Sequence, residues 1–386
     1  MARPAPQSIE EPHIERIRAF DLMRGFFLIV ILLDHLAYYP SGLDIFTGRG
    51  LLYISTAEGF FAISGLVLGI VRGRKLLKKP LRTAAKLLLK RSVQLYVESI
   101  ILTLLFTIAA WLSIAAWLFY YNSEIKYGAA APDTPFWQVV WQTITLQYTY
   151  GWADFLRYYA LFLAGAPFAL WLLRRGKWYI VTIINIALWW YYTQTPGGET
   201  WLPFSWQLVF YSGFIVGFYW PALTRWWRRT LHAWQRRAIA RTITALFLLG
   251  FTANFLLMLN ANYWHVEPFA AWHNQYNMEY FDKDRLPIPR LAFGVICFWG
   301  LFALVRRYEK IIAKYLGWLL MPLGTNSLYV YTIEAFIVYF AHLFILPPQP
   351  FIAAAPWFIN LALSITAIML VWTAVRRKFL FSVIPR

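Results

Sequence analysis

Apolar stretches long enough to cross a ~30 Å hydrocarbon core, which takes about 20 residues each, recur along this chain with short polar loops between them. No other feature narrows the fold as much. The chain has 386 residues, of which 60% are hydrophobic and 14% charged, against about 25% charged in a soluble domain. No separate soluble domain remains once these stretches are removed, and no internal repeat divides them. The reading is an all-α, polytopic transmembrane helix bundle forming a single domain over residues 1–386. Within it, 1–16 is a cytoplasmic segment, 17–375 the bundle and 376–386 a cytoplasmic tail.

About ten spans are expected. They are Ile17–Tyr39, Leu51–Val71, Ser92–Tyr120, Asp154–Leu173, Trp178–Thr193, Phe204–Trp220, Thr242–Asn260, Leu291–Val305, Leu323–Leu346 and Ala353–Val375. The fifth and eighth are short enough to be tilted or partly re-entrant. Basic residues fall in alternate loops: Arg16 and Arg18, Arg72 to Arg91, Arg174 to Lys177, Arg225 to Arg241, Arg306 to Lys314 and Arg376 to Lys378. The intervening loops carry only Arg49, Lys126, Lys283 and Arg285. Excess Lys and Arg marks cytoplasmic loops, so both termini are expected in the cytoplasm.

The same distribution disposes of nucleic-acid binding. A net charge of +18 invites that reading, because basic patches neutralise phosphate. Here the charge orients loops, and no nucleic-acid-binding motif accompanies it. Cys297 is the only cysteine, which excludes an intrachain disulfide and a cysteine zinc cluster. The polar, Pro-containing N-terminus shows no cleavable signal.

Ionisable residues inside a membrane cost roughly 2.5–3.5 kcal/mol each on insertion scales and mark function by default. The first helix, FDLMRGFFLIVILLDHL, holds Asp21, Arg24, Asp34 and His35. Helical phase places His35 only about 20° round from Arg24 and about 16 Å further along the axis. Asp21 lies within about 60° of Arg24 on the same side. One face is therefore polar, with Arg24 toward the cytoplasm and His35 toward the outside. A pairing of Arg24 with Asp21 at i,i+3 is the plainer alternative.

The second helix, AEGFFAISGLVLGI, aligns Glu58, Ala62, Gly65 and Gly69 on one face. Gly65 and Gly69 form a GxxxG that admits a neighbouring backbone. The short connection makes the first two helices neighbours and puts Glu58 at a depth comparable to His35. A carboxylate there fixes the imidazole's tautomer and raises its basicity. Ser64 lies off that stripe and is not read as a nucleophile. A histidine general base suits deprotonation of a hydroxyl that attacks an acyl donor. An arginine nearer the cytoplasm suits an anionic, extended donor such as acyl-CoA.

At these residues the chain resembles a family. Arg24-x10-His35 followed by GFFAISG (Gly59–Gly65) looks like the acyltransferase-3 superfamily of membrane O-acyltransferases. ADFLRYYALFLAGAPFALWLLRRG (Ala153–Gly176), LPFSWQLVFYSGFIVG (Leu202–Gly217) and LGTNSLYVY (Leu323–Tyr331) resemble its OpgC branch, described as succinyltransferases of osmoregulated periplasmic glucans. The resemblance implies ten helices, a cytoplasmic acyl-CoA (succinyl-CoA or acetyl-CoA) as co-substrate, no permanently bound cofactor and an extracytoplasmic glycan acceptor in a cell membrane. It carries catalytic importance onto Arg24 and His35, and less directly onto Glu58 and Asp34. Superfamily members often show a histidine in the ninth helix. Here the text reads Tyr331-Thr332-Ile333-Glu334, so Asn326, Ser327 and Glu334 are given only a lining role.

Other polar residues are weaker candidates. Asp154 and Arg157 stand at i,i+3 at the outer end of the fourth helix, as a salt bridge or a substrate contact. Gln207 is a sugar or acyl contact at the outer end of the sixth. The outer loop Ala261–Pro289 brings His265 and His273 with Glu267, Glu279, Asp282 and Asp284, but the spacing fits no metal-ligand pattern. No metal is expected, and the loop reads as solvated. The competing reading from another class is a secondary transporter or exporter of a glycan or lipid-linked substrate, since intramembrane charges also mark ion paths. Transporters commonly show paired halves with interrupted helices, and this sequence shows no such symmetry.

Overall fold

A computed structural model describes residues 17–73, 77, 80–115, 130, 133–195, 203–344 and 356–384. Among the described residues there are helices, turns and loops and no strand. Among the described residues five helices are long and apolar enough to cross a membrane: Leu81–Leu112, Asp154–Arg174, Ala233–Trp264, Ile288–Arg307 and Trp357–Arg376. The molecule is a helical membrane protein.

The first helix, α1 (Arg18–Leu36), is followed by the single turn α2 (Asp44–Thr47) and by α3 (Thr56–Val67), which continues as a π-turn over Leu68–Gly73. Then come α4 (Leu81–Ala115), α5 (Phe136–Ile144), α6 (Asp154–Arg174), α7 (Trp178–Gln194), α8 (Pro203–Thr230) and α9 (Ala233–Leu259). The chain finishes with α10 (Phe269–Glu279), α11 (Ile288–Arg307), α12 (Glu309–Tyr315), α13 (Gly317–Thr325), α14 (Ser327–Phe344) and α15 (Trp357–Arg376).

Most expected spans coincide with a helix, and the departures have local causes. The eighth span is no short element: α11 has 20 residues because Pro289 sits in its first turn, where a missing N–H costs nothing. The ninth span is broken. Asn326 leaves helical geometry at φ −117°, ψ 36°, and its side-chain Nδ2 donates to the Pro322 carbonyl at 2.9 Å. That side-chain bond takes the place of a backbone i→i−4 bond, so α13 and α14 are separate helices. The loop Ala261–Pro289 is not simply solvated, because it contains α10. Residues 116–129, 196–202 and 345–355, where several outer-loop readings fall, lie outside the described residues.

Hydrogen bonds between connecting segments sort the helix ends. Asn360 donates to the Pro40 carbonyl at 3.0 Å, and the Tyr53 N–H to Asn254 Oδ1 at 2.9 Å. Trp189 Nε1 reaches the Leu286 carbonyl at 3.0 Å, and Ser205 Oγ the Asp284 carbonyl at 2.6 Å. These bonds gather the C-terminal ends of α1, α7 and α9 with the N-terminal ends of α3, α8, α11 and α15. We call this the His35 end. At the other end Tyr329 donates to the Phe379 carbonyl at 2.6 Å, and Trp372 to the Trp318 carbonyl at 2.9 Å.

Two helix pairs are fixed by backbone approach. Along α3 and α8, Gly65 and Gly69 face Gly213 and Gly217. A Cβ at Gly65 would overlap the Phe210 carbonyl, and one at Gly217 the Leu66 carbonyl. Along α1 and α13, a Cβ at Gly25 would overlap the Leu320 carbonyl, and one at Gly324 the Asp21 carbonyl. Small residues let bilayer helices gain packing where no hydrophobic force separates protein from lipid. The GxxxG of α3 therefore serves α8, while α1 packs on both α3 and α13.

Gly65→Val is expected to cost at least about 1–3 kcal/mol from overpacking. It should lower the yield of monodisperse protein in fluorescence-detected size-exclusion chromatography. Gly294→Ala, whose Cβ meets nothing within 4 Å, should behave as wild type.

Candidate functional site

The α1 helix must hide its charged side chains, and it does so at both ends. Near its N-terminus Arg24 Nη2 donates to Asp21 Oδ1 at 2.9 Å. This is the i,i+3 pair that the plainer reading anticipated. Arg24 Nε stays buried with no hydrogen-bond partner, so part of the guanidinium remains unspent inside the bundle.

At the other end Asp34 and His35 point different ways, as neighbours separated by 100° must. Asp34 accepts from Tyr39 OH at 3.0 Å, and the same hydroxyl lies 3.2 Å from Thr47 Oγ1. Arg49 lies over the Tyr39 and Tyr263 rings and pairs with Asp44 at 3.4 Å. His35 is half-buried. The charged or titratable groups that act on it are Lys283 and His342, and Lys283 also acts on Asp34. His342 is buried in α14, with Nε2 at 3.0 Å from the Leu36 carbonyl oxygen.

Glu58 is not the partner of His35. One of its carboxylate oxygens meets Arg290 Nε and the other accepts the Ser55 N–H at 3.0 Å. The Arg290 side chain is 3% exposed and Glu58 12%, so this is an enclosed ion pair joining α11 to α3. Arg290 also donates to the Phe281 carbonyl, tying the 261–289 loop to both helices. Sequence reasoning missed Arg290 because it fell between the loop ending at Pro289 and the span starting at Leu291. The available signal was a basic residue opening an apolar run on the side otherwise poor in Lys and Arg.

Asp34, Glu58 and Arg290 line one end of a cavity of about 770 Å³. The remaining lining is almost wholly apolar and comes from α1, α3, α7, α8, α9 and α11, including Phe27, Ala62, Leu66, Val209, Phe251 and Phe298. Arg24 and His35 do not line it.

The other candidates are placed elsewhere. Asp154 and Arg157, read as a salt bridge or a substrate contact, have separate partners. Arg157 is buried and donates to the Leu146 carbonyl and to Tyr158 OH, each at 3.0 Å, while Tyr331 OH reaches Asp154 Oδ1 at 3.5 Å. Gln207 Nε2 donates to the carbonyls of Asn185 at 2.8 Å and Phe204 at 3.0 Å, so it fastens α8 to α7. Asn326 and Ser327 form the α13–α14 corner. Thr332 Oγ1 bonds Glu98 Oε1 at 2.7 Å, giving α14 a polar contact with α4 that the sequence did not signal. Glu334 is buried, and neither carboxylate oxygen has a hydrogen-bond partner.

In the 261–289 loop, His273 stacks on Tyr53 with centroids 5.0 Å apart, and its Nδ1 lies 3.1 Å from Tyr53 OH. Tyr53 stacks in turn on Phe281 at 4.2 Å. Among the described residues no group of three His, Cys, Asp or Glu could hold a metal ion. Asp282 instead accepts from the backbone N–H of Asp284 at 2.7 Å.

Two outcomes follow for these contacts. Arg290→Met leaves a carboxylate enclosed without its cation and should cost about 3–5 kcal/mol in thermal or denaturant unfolding. Combining it with Glu58→Gln should recover most of that loss. Burial also lowers the pKa of His273 from its ordinary 6.5. The docked loop therefore holds the neutral ring, and its stability is present above about pH 6.5 and lost as pH falls below it. Limited proteolysis in the 265–285 loop should accelerate from about pH 7.5 to about pH 5.5, and His273→Phe should flatten that dependence.

The chain matches the family described as OpgC protein (OpgC_C) over residues 16–382. Neither the comparison with curated proteins nor that with solved structures gives a match.

Proposed function

We propose, from the premise that this chain belongs to the OpgC family, that it is a membrane O-acyltransferase of acyltransferase-3 type that modifies a glycan. In this reading the bundle spans the cell membrane about ten times, with both termini in the cytoplasm. Acyl-CoA reaches it from the cytoplasm and the glycan hydroxyl from outside. The alternating basic loops support the orientation, as does the gathering of alternate helix ends at the His35 end.

His35 is the general base. Its imidazole nitrogen takes the proton of the acceptor hydroxyl as that oxygen attacks the thioester carbonyl. A C–O bond forms, the C–S bond breaks, and the leaving CoA thiolate takes the proton back from the imidazolium. Glu58 has no part in orienting His35, because Arg290 and the Ser55 N–H occupy its carboxylate. The unspent Nε of Arg24 is available to an anionic group of the donor. Arg24 also pairs with Asp21, Arg49 with Asp44, Arg285 with Asp282 and Arg290 with Glu58. Lys283 has no ion pair among the described residues, and it acts on both His35 and Asp34. An unpaired cation in the loop at the His35 end favours an acyl group that ends in a carboxylate, as succinyl does, over acetyl.

The observation that carries the proposal is family membership along almost the whole chain, with Arg24 and His35 both held in its first helix. The test is acyl transfer from labelled succinyl-CoA and acetyl-CoA to a glucan by purified protein. His35→Ala should lower transfer roughly 10²–10⁴-fold while the protein stays folded. Lys283→Gln should lower succinyl transfer more than acetyl transfer. A folded His35→Ala variant that transfers at the wild-type rate would remove the base assignment. Equal effects of Lys283→Gln on both donors would remove the preference for succinyl.

A further inference from the structure

The cavity bordered by Phe27, Val30 and Asp34 of α1 has the wrong lining for a sugar, because it is almost wholly apolar. Protein interiors are close-packed, so a cleft of about 770 Å³ open at its rim leaves its apolar walls without packing partners from the protein. Its walls are two helix pairs. The glycines fasten α3 to α8, and α7 packs on α8, whereas α9 packs chiefly on α11. The cavity is the cleft between these pairs, closed behind by Phe27 and Val30 of α1.

Its rim tells where it opens. Ile186 of α7 is 48% exposed, Ile288 of α11 65% and Val295 of α11 56%, and all three line the cavity. A mouth facing water would carry polar residues, whereas an apolar rim on the outside of a membrane bundle faces hydrocarbon. Water gains nothing in such a space, because apolar cavities stay dry. The polar part of the lining sits at the His35 end, where Asp34, Thr47, Ser55, Glu58 and Arg290 are found. The cavity thus has an apolar body and a polar end, the shape of an amphiphile.

We infer that this cleft binds one acyl chain of a bilayer phospholipid, with the head group at the Asp34, Glu58 and Arg290 end. The inference rests on the bilayer setting and does not depend on acyl transfer. The lipid chain supplies the packing that α9 and α11 lack against α7 and α8.

Gly294 gives the means of testing this, since it lines the cavity and a Cβ there meets nothing within 4 Å. Gly294→Phe fills the cleft without displacing backbone. Leu249→Phe, on the exposed side of α9, is the control. Native mass spectrometry of protein purified from membranes should find a phospholipid on wild type and on Leu249→Phe, and at least about fivefold less on Gly294→Phe. Absence of phospholipid from wild type, or equal retention by Gly294→Phe, overturns the inference.

A second measurement needs no variant. Wild type is reconstituted in phosphatidylethanolamine and phosphatidylglycerol vesicles that contain a phospholipid with a photoactivatable acyl chain. Crosslinks should map to Leu66 and Cys297, which are buried and line the cavity. Crosslinks confined to outward residues such as Leu249 and Ile183 overturn it. If acyl transfer is absent while the lipid is found, the enzyme reading fails and the lipid site stands. The reverse result removes the lipid site alone.

Discussion

A helix that carries Asp21, Arg24, Asp34 and His35 through an apolar setting is tolerable only if neighbours enclose its polar face. That constraint organises the bundle. α1 is pressed against α13 through Gly25 and Gly324, where no side chain separates the backbones. It also touches α3, α11 and α14. Enclosure lets Arg24 settle on Asp21 within the helix, and lets Asp34 use Tyr39 and Thr47 just beyond it. At the same end His342 of α14 is held by the Leu36 carbonyl.

The glycine seam between α3 and α8 has a consequence across the molecule. By drawing α8 onto α3 it leaves α9 and α11 as a separate pair, and the cleft lies between them. Arg290 closes that cleft at one end. It is a clasp more than an ion pair, because the same guanidinium holds Glu58 of α3 and the Phe281 carbonyl of the outer loop. Tyr53, stacked between His273 and Phe281, extends the clasp through aromatic contact. The 261–289 loop is thus a packed cover over the His35 end of the bundle.

Much of the fold was legible because its causes are local. Apolar length marked the helices, and a polar stripe at helical period marked α1. Where a local signal was shared between two outcomes, reading failed. Glu58 and His35 stood at similar depths on neighbouring helices, yet an arginine 232 residues away competes for the carboxylate. Asp154 and Arg157 stood at pairing distance along one helix, yet in the fold Arg157 is spent on the Leu146 carbonyl and Tyr158 OH, and Tyr331 OH reaches Asp154. The GxxxG of α3 announced a close neighbour without naming α8, because its own partner motif at Gly213 and Gly217 carries the same anonymous signal.

The sequence alone determined that this chain is a helical membrane protein with a costly polar face on its first helix, and which residues make up that face. Hydrophobic length and helical phase are properties of a segment, so they survive without knowledge of the rest. Tertiary structure alone decided which carboxylate meets which cation, and that an apolar cleft opens beside Asp34. Those outcomes depend on packing distances between segments far apart in the chain. Coulomb and hydrogen-bond energies fall off over a few ångströms, and only the packed helices set those separations.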